Sequence, residues 1–447
     1  MRKNIFYKTV FLIFFLFSTL LFLNLQNVSA QSCPPGDANT DCKVDGADYV
    51  IWLNNYSQSK TGKSYGDFNN SGNVEGADYV IWLNNYGKNG TSETPTPTDG
   101  QISPPSSTGG ILISQSELLE LPTSGNAWNN MKSVAYGSWG TPDLKNQDNK
   151  YGISVVAGAL VYTRTGDTSL RAKTRDGILA AKRTLDETNE YTAGFTALSI
   201  TRQIGTYPIA ADLIDLKNFD AAADNEFRSW LMNIRTQNVG NHGKWKNLSQ
   251  ICENSANNWG TFACPSRIAA SIYLGDTTDI QRAANVFRAF LGERQYYPAD
   301  HKYSRTTYFE RVANYTSWSC NEATWTAINP NCAKNGVNLD GVLVEDISRG
   351  GDCCTPVGYG IMYSWEALQG IYVSAELLYR RGFDTYNWSN RALKRSLDFM
   401  QRSGSWGAIS NVASYVPWMA NKRYGTSYPT TPTGSGRIMS WGDWVYQ

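Results

Sequence analysis

Residues 358–382 read GYGIMYSWEALQGIYVSAELLYRRG. Ile361, Trp365, Leu368, Tyr372, Ala375 and Tyr379 recur at intervals of three and four, the spacing of one α-helical face, and Arg380-Arg381-Gly382 supplies a helix end. Working outward, the device repeats. Residues 279–292 (DIQRAANVFRAFLG) carry the same period, residues 155–165 stop at Gly166-Asp167, and residues 268–274 stop at Gly275-Asp276. Strand-like alternation is scarce before the Thr/Tyr/Trp/Gly-rich end beyond Trp406. The pattern predicts a mainly α domain of successive helix hairpins, which at this length closes into a ring of antiparallel pairs around a cleft.

The 447 residues are 41% hydrophobic and 18% charged, the composition of folded protein. Lys plus Arg number 40 against 39 Asp plus Glu, so the basic footprint of a nucleic-acid binder is missing. Fifteen Trp and 26 Tyr accompany only two His, which suits stacking on sugar rings and filling a large core alike. Arg2, Lys3 and Lys8 precede an apolar run over 10–23, and Val28-Ser29-Ala30 has the small-x-small pattern of a signal-peptide cleavage site. Residues 1–30 therefore read as a signal peptide. A secreted protein is expected, extracellular or bound to a cell-surface scaffold, with no membrane span after cleavage. Export makes the eight cysteines an even disulfide set: Cys33 with Cys42, Cys252 with Cys264, Cys320 with Cys332, and the adjacent Cys353 and Cys354. Adjacent cysteines rarely bond each other, so the pairing among Cys320, Cys332, Cys353 and Cys354 stays open. No matched C-x-x-C pairs occur, which argues against zinc.

GADYVIWLNNY appears at 46–56 and again at 76–86. Ahead of each copy is a twelve-residue loop. Asp37, Asn39, Asp41, Lys43, Asp45 and Asp48 occupy positions 1, 3, 5, 7, 9 and 12 of the first; Asp67, Asn69, Ser71, Asn73, Glu75 and Asp78 occupy those of the second. A hard cation takes six to eight oxygens and position 7 contributes a backbone carbonyl, so the spacing predicts two bound calcium ions. Position 12 is Asp, and only six residues separate the expected mature terminus from Asp37, leaving a loop-helix unit with no entering helix. Cys42 stands at position 6, where a glycine normally makes the turn, and Cys33 is expected to pin it. Duplication, loop spacing and loop-helix order together resemble the type I dockerin, which docks enzymes onto cohesin domains of a scaffold. The resemblance covers residues 33–88. It implies a small calcium-binding two-helix domain over 31–88 and a cohesin partner.

Residues 89–110 are rich in Thr, Ser, Pro and Gly and read as a flexible tether before a second domain at 111–447. Residues 31–110 hold four Lys against nine acidic groups, while 111–447 hold 33 basic against 30 acidic. The second domain can accept an acidic polymer on charge, although so small an excess identifies none.

Signatures of metalloproteases, serine hydrolases, P-loops and dinucleotide sites are missing. What remains are amides, arginines, carboxylates and aromatics in three segments: Asn257-Asn258-Trp259-Gly260, Asp340 to Arg349 with Glu345 and Asp346 within it, and Tyr207 to Leu213. Together they resemble the alginate-lyase family of polyuronate lyases over most of 111–400. That resemblance implies an incomplete (α/α) toroid and β-elimination on a 4-linked polyuronate of the alginate or glucuronan type, with no cofactor in the catalytic domain. The family's catalytic tyrosine falls on Tyr363. Asn258 and Arg349 would neutralise the uronate carboxylate and stabilise the enolate-like intermediate. Tyr363 would protonate the leaving oxygen, and His301, whose unperturbed pKa is near neutrality, would take the C5 proton unless Tyr363 does so itself. Asn257, Trp259, Tyr207, Glu345, Tyr359 and Trp318 are expected to bind substrate. Two departures from the family pattern stand out: Trp259 replaces a histidine beside the paired asparagines, and Cys353-Cys354 lengthens the stretch from Arg349 to Tyr363.

Two other classes fit the same architecture. A glycoside hydrolase on a helical ring would need two opposed carboxylates, with Glu345 or Asp346 partnered by Asp340 or Glu253. A sugar-binding module would need no chemistry.

Overall fold

The computed structural model describes residues 33–69, 71–88, 109–186, 196–240, 247–298, 315–320, 327–408, 413–432 and 436–447. The protein is mainly helical and divides into two compact units at Asp99–Gly100. The signal segment and most of the tether lie outside the described residues.

The first unit holds α1 (Gly46–Asn55) and α2 (Gly76–Asn85), the two copies of the repeated sequence. Position 12 of each loop caps its helix from within: Asp48 Oδ2 accepts from Asp45 N at 2.9 Å and Asp78 Oδ2 from Glu75 N at 2.9 Å. The halves interlock reciprocally. Trp52 Nε1 donates to Glu75 O at 3.1 Å and Trp82 Nε1 to Asp45 O at 2.9 Å, each indole reaching the equivalent carbonyl of the other loop. Ala38, Val44, Trp52, Phe68, Val74 and Trp82 form the core. So small a core leaves stability dependent on whatever else ties the loops together.

The second unit contains α3 (Asn126–Tyr136), α4 (Tyr151–Thr165), α5 (Thr168–Asp186), α6 (Thr196–Gln203), α7 (Thr206–Leu213), α8 (Ala221–Ile234), α9 (Leu248–Asn254), α10 (Asn258–Leu274), α11 (Thr277–Leu291), α12 (Gly358–Tyr379), α13 (Trp388–Arg402) and α14 (Tyr415–Tyr424), with shorter turns between them. Among the described residues a small sheet pairs β1 (Ala333–Lys334) with β2 (Val337–Asn338) antiparallel. Gly166, Gly275 and Gly425 end α4, α10 and α14 with positive φ, the backbone a helix stop requires and glycine adopts without a Cβ clash. α4, α10 and α12 are buried on nearly every face, whereas α5, α11 and α13 alternate apolar and polar faces and pack beside them. The α10–α12 crossing is the centre of the unit. A Cβ on Gly370 of α12 would lie 1.8 Å from Thr261 O of α10, so only glycine lets the two backbones meet there.

The start of this unit is anchored from afar. Arg380 Nη2 donates to Gly109 O at 3.1 Å, Arg381 Nη2 to Gly110 O at 2.7 Å, and Asp212 Oδ2 accepts from Ile111 N at 2.8 Å. Gly109 and Gly110, assigned to the tether on composition, are therefore held by the folded unit.

The cysteines pair as Cys33–Cys42, Cys252–Cys264, Cys320–Cys332 and Cys353–Cys354. The pairing that the sequence leaves open is thus Cys320 with Cys332 and Cys353 with Cys354. The loop around Cys353 is held by Ser317 Oγ, which accepts from Cys353 N at 3.1 Å, and by Trp318 Nε1, which donates to Gly351 O at 2.7 Å. Cys353 and Cys354 thus find each other while Cys320 meets Cys332. Among the described residues, no helix is long and apolar enough to cross a membrane.

Candidate functional site

The candidate site is built where α10 begins. Asn257 caps that helix: its Oδ1 accepts from Trp259 N at 2.9 Å and from Ser255 Oγ at 2.8 Å, while its Nδ2 donates to Glu345 Oε1 at 2.5 Å. Asn258 N donates to Asp346 Oδ1 at 3.1 Å. A Cβ on Gly260 would meet Ser255 O at 1.8 Å, so the turn into α10 closes only around a glycine. Asn257 and Asn258 are buried, as are Glu345 and Asp346 of the short helix Val344–Ile347.

Arg349 follows in the 3₁₀ turn Ser348–Gly350. Two glycines press this turn onto the start of α12. A Cβ on Gly350 would meet Val357 O at 2.3 Å, and one on Gly360 would meet Ile347 O at 2.2 Å. The contact places the Arg349 guanidinium 4.3 Å from the centre of the Tyr363 ring. Tyr359, one turn earlier and 68% exposed, has its ring centre 6.3 Å from that of Tyr363. Amide, carboxylate, guanidinium and phenol groups from distant stretches of sequence thus meet around one helix start and one tyrosine.

Behind Tyr363 lies a second set that sequence reading did not find. Glu366, one turn further along α12, is ion-paired with Arg202 at 3.4 Å and Arg437 at 3.4 Å. Arg202, 4% exposed, lies 4.5 Å over the Phe262 ring and donates to Gln147 Oε1 at 3.1 Å. Burial pulls its guanidinium down to about 10, partly offset by Glu366. Arg437 Nη1 reaches Asp148 Oδ1 at 2.7 Å. A signal for Glu366 existed, since it is an ionisable residue inside an otherwise apolar helical run. Arg202 and Arg437 carried none.

The remaining expected residues are distributed differently. Tyr207 is 1% exposed with its hydroxyl buried, and Trp318 is 1% exposed with its indole bonded to Gly351 O; both sit in the core and offer no surface to a polymer in this conformation. Each is a bulky aromatic on a short helix whose neighbours cover it, which sequence cannot distinguish from an exposed platform. Trp259 is half-buried at the first turn of α10. His301 lies outside the described residues. Glu253 is bound by Arg267 at 2.7 Å and Arg282 at 2.6 Å, and Asp340 is ion-paired with Arg395. The Cys252–Cys264 bridge flanks the asparagine turn and lines a small, mainly apolar cavity with Val286, Phe287, Phe290 and Ile371, separate from these carboxylates.

In the first unit the carboxylates at positions 1 and 12 of each loop fold inward, while Asp41 and Glu75 stay exposed. Asp37, Asp48, Asp67 and Asp78 are all buried. Asp48 Oδ1 accepts from Ala38 N at 2.8 Å and Asp78 Oδ1 from Phe68 N at 2.8 Å, while Asp37 Oδ1 is buried without a hydrogen-bond partner among the described residues. Cys42 and Gly72, both at position 6, share a left-handed backbone with φ of 61° and 85°. Cys42 N donates to Asp37 Oδ2 at 3.1 Å and Gly72 N to Asp67 Oδ2 at 3.2 Å, so the cysteine reproduces the glycine turn at a cost of about 1–2 kcal/mol. The sulfurs of Cys33 and Cys42 lie with an Asp37 oxygen inside 4.8 Å, a grouping that could suggest a thiolate metal site. They are bonded to each other and carry no thiolate, so the oxygens alone are left as ligands.

No protein-family model matches this chain, and no curated protein matches it.

Proposed function

We propose that the protein is a secreted polysaccharide lyase. It cleaves a 4-linked polyuronate by β-elimination on an incomplete (α/α) toroid and is held on a cohesin-bearing scaffold by a calcium-loaded dockerin. The observation that carries the enzyme reading is the Arg349–Tyr363 contact of 4.3 Å beside the asparagine turn held by Glu345 and Asp346. β-Elimination needs a positive or hydrogen-bonding group for the uronate carboxylate next to a proton donor for the leaving oxygen. A guanidinium, an amide and a phenol are the groups brought together.

In this reading Arg349 neutralises the carboxylate, making the C5 proton acidic and holding the charge that builds as it leaves; Asn258, at 1% exposed as covered as Tyr207, joins it only once its amide is uncovered. The C5–H bond breaks, the C4–O bond breaks, a C4=C5 double bond forms, and the Tyr363 hydroxyl delivers its proton to the departing O4. The C5 proton goes to His301 or to the Tyr363 phenolate. Tyr359, exposed one turn away, offers a ring face to a neighbouring sugar.

A hydrolase would need two opposed, accessible carboxylates. Glu253 and Asp340 are held by arginines, and Glu345 and Asp346 are 1% and 0% exposed, so the carboxylates named for that chemistry are engaged or sealed.

For the first unit, the calcium reading is supported by the all-oxygen ligand set, the buried unpartnered Asp37 oxygen and the matching turns at Cys42 and Gly72. Asp37, Asn39, Asp41 and Asp45 with the Lys43 carbonyl, and Asp67, Asn69, Ser71 and Glu75 with the Asn73 carbonyl, would hold the ions. Asp48 and Asp78 would close the shells. Val50 and Leu53 of α1 with Tyr56 just after it, and Val80 and Leu83 of α2 with Tyr86 just after it, are exposed at equivalent positions, an apolar surface suited to a protein partner.

Incubation with alginate, glucuronan and other polyuronates, read by absorbance of the conjugated C4=C5 product, tests the enzyme reading. An unsaturated uronate is expected. A saturated product would establish a hydrolase, and no product together with retained polymer binding would establish a binding module.

A further inference from the structure

Glu345 and Asp346 adjoin in one four-residue helix and are 1% and 0% exposed. Each has one side-chain oxygen with a donor: Asn257 Nδ2 on Glu345 Oε1 and Asn258 N on Asp346 Oδ1. Their other oxygens, Glu345 Oε2 and Asp346 Oδ2, have no partner among the described residues, and neither does Asn258 Oδ1. Three buried acceptors at one helix start are therefore left unsatisfied among the described residues, an arrangement that buried polar groups avoid. The charged groups facing the pair are Arg349 from the following turn and Glu366 from α12, while α10 presents the neutral Asn257 and Asn258. Glu366 is already paired with Arg202 and Arg437, so the single guanidinium of Arg349 is left to offset two adjoining carboxylates.

A single proton changes this balance. The hydroxyl of a carboxylic acid is a donor, so protonating one orphaned oxygen removes it from the set and lets it satisfy a second acceptor. Burial, then the charge of Asp346, pushes Glu345 up to about 8. Burial also pushes Asp346 up to about 7 against the pull of Arg349 and the Asn258 N–H. The two titrate as a coupled pair.

Resting on the lyase reading, we propose that Glu345 and Asp346 share a proton at neutral pH and, in that form, are the positioning pair that fixes the Asn257–Asn258 turn. An acid hydroxyl donating to Asn258 Oδ1 orients that amide, leaving its Nδ2 hydrogens for the substrate carboxylate. When the pair ionises fully, Asn258 Oδ1 loses its donor and the amide its defined direction.

Two measurements on the full chain test this. The first is thermal midpoint against pH, which needs no substrate. The raised pair favours the folded state fully below the ordinary carboxylate range, and that contribution is lost as pH rises toward about 8. The wild-type midpoint should fall across that window, and the isosteric double variant Glu345→Gln/Asp346→Asn should flatten the fall. Identical pH dependence in the two proteins would overturn the shared proton. The second is kcat against pH on a polyuronate. Asp346→Ala should lower kcat on the order of 100-fold with little change in KM, the size of a misplaced reacting group. Asp346→Asn, which mimics the neutral acid, should restore most of that rate and remove the alkaline decline. An Asn variant as slow as the Ala variant would overturn the positioning role. A wild-type protein that yields no unsaturated product overturns the lyase reading instead, and the midpoint measurement still decides the proton.

Discussion

The Arg349 guanidinium faces the Tyr363 ring at 4.3 Å, across the junction between a 3₁₀ turn and the first turns of α12. A guanidinium over an aromatic face keeps its positive charge and most of its donors while the ring fixes its plane. It can therefore meet a carboxylate beside the hydroxyl that is to give up a proton.

If Tyr363 is that donor, Tyr363→Phe keeps the ring under Arg349 and deletes only the oxygen. Positioned acid catalysis is worth on the order of 100- to 10,000-fold, so kcat should fall by that amount with the thermal midpoint nearly unchanged. Initial rates of double-bond formation measure it. A folded Phe variant near the wild-type rate would remove Tyr363 from the mechanism and make Tyr359 the next candidate.

Gly360→Ala should separate the pair without touching either member. The added methyl would lie 2.2 Å from Ile347 O and 3.0 Å from Gly350 N, and backbone cannot yield as a side-chain tip does. Overpacking of this kind costs about 1–3 kcal/mol. The expected result is a lower midpoint in calorimetry and a loss of kcat beyond what the unfolded fraction explains. Normal turnover in a destabilised Gly360→Ala protein would show that the Arg349 contact is dispensable.

Calcium titration of the full chain by calorimetry should find two sites. Asp37→Ala and Asp67→Ala should each abolish one, since each removes the position 1 carboxylate of a single loop. Chelator should lower the unfolding temperature of the first unit and leave that of the second in place, because binding energy for such loops is folding energy. Unchanged unfolding in calcium and chelator would defeat this assignment.

Glu117 gives a pH dependence in the acid range. Burial raises its carboxyl, but hydrogen bonds from Arg380 and Ser114 outweigh that and hold it down at about 2. A depressed carboxylate stabilises fully above its unfolded value of 4.5, and that stability is lost as pH falls from there through about 2. The side chain is 43% exposed, so solvent screens much of the effect. Glu117→Gln should be less stable than wild type above the upper limit of that window, with the gap narrowing below it. Denaturant midpoints at several pH values measure this, and a constant gap would disprove it.

Much of the helical content was legible because its signals are local. The apolar period that ends at Tyr379 and the stops at Gly166 and Gly275 each depend on residues within a turn or two. The helix that opens at Asn258 was read only from Ile268, because its first turns carry Trp259, Gly260 and Pro265 in place of a clean apolar stripe. The duplicated loop-helix was equally plain, since ligand spacing is a property of one short segment.

Neighbours along the chain suffice to read most of the helices, the repeat and the even cysteine set, whereas Asn258, Arg349 and Tyr363 are nominated by the family resemblance of short motifs. Tertiary structure alone decided that Tyr207 and Trp318 are core, that Arg202 and Arg437 converge on Glu366, and that Glu345 and Asp346 are sealed beneath the asparagine turn. Burial and partnership are set by which distant segments pack together. Arg202, Glu366 and Arg437 share no local pattern, and only the packing around α12 puts their charges within reach of one another.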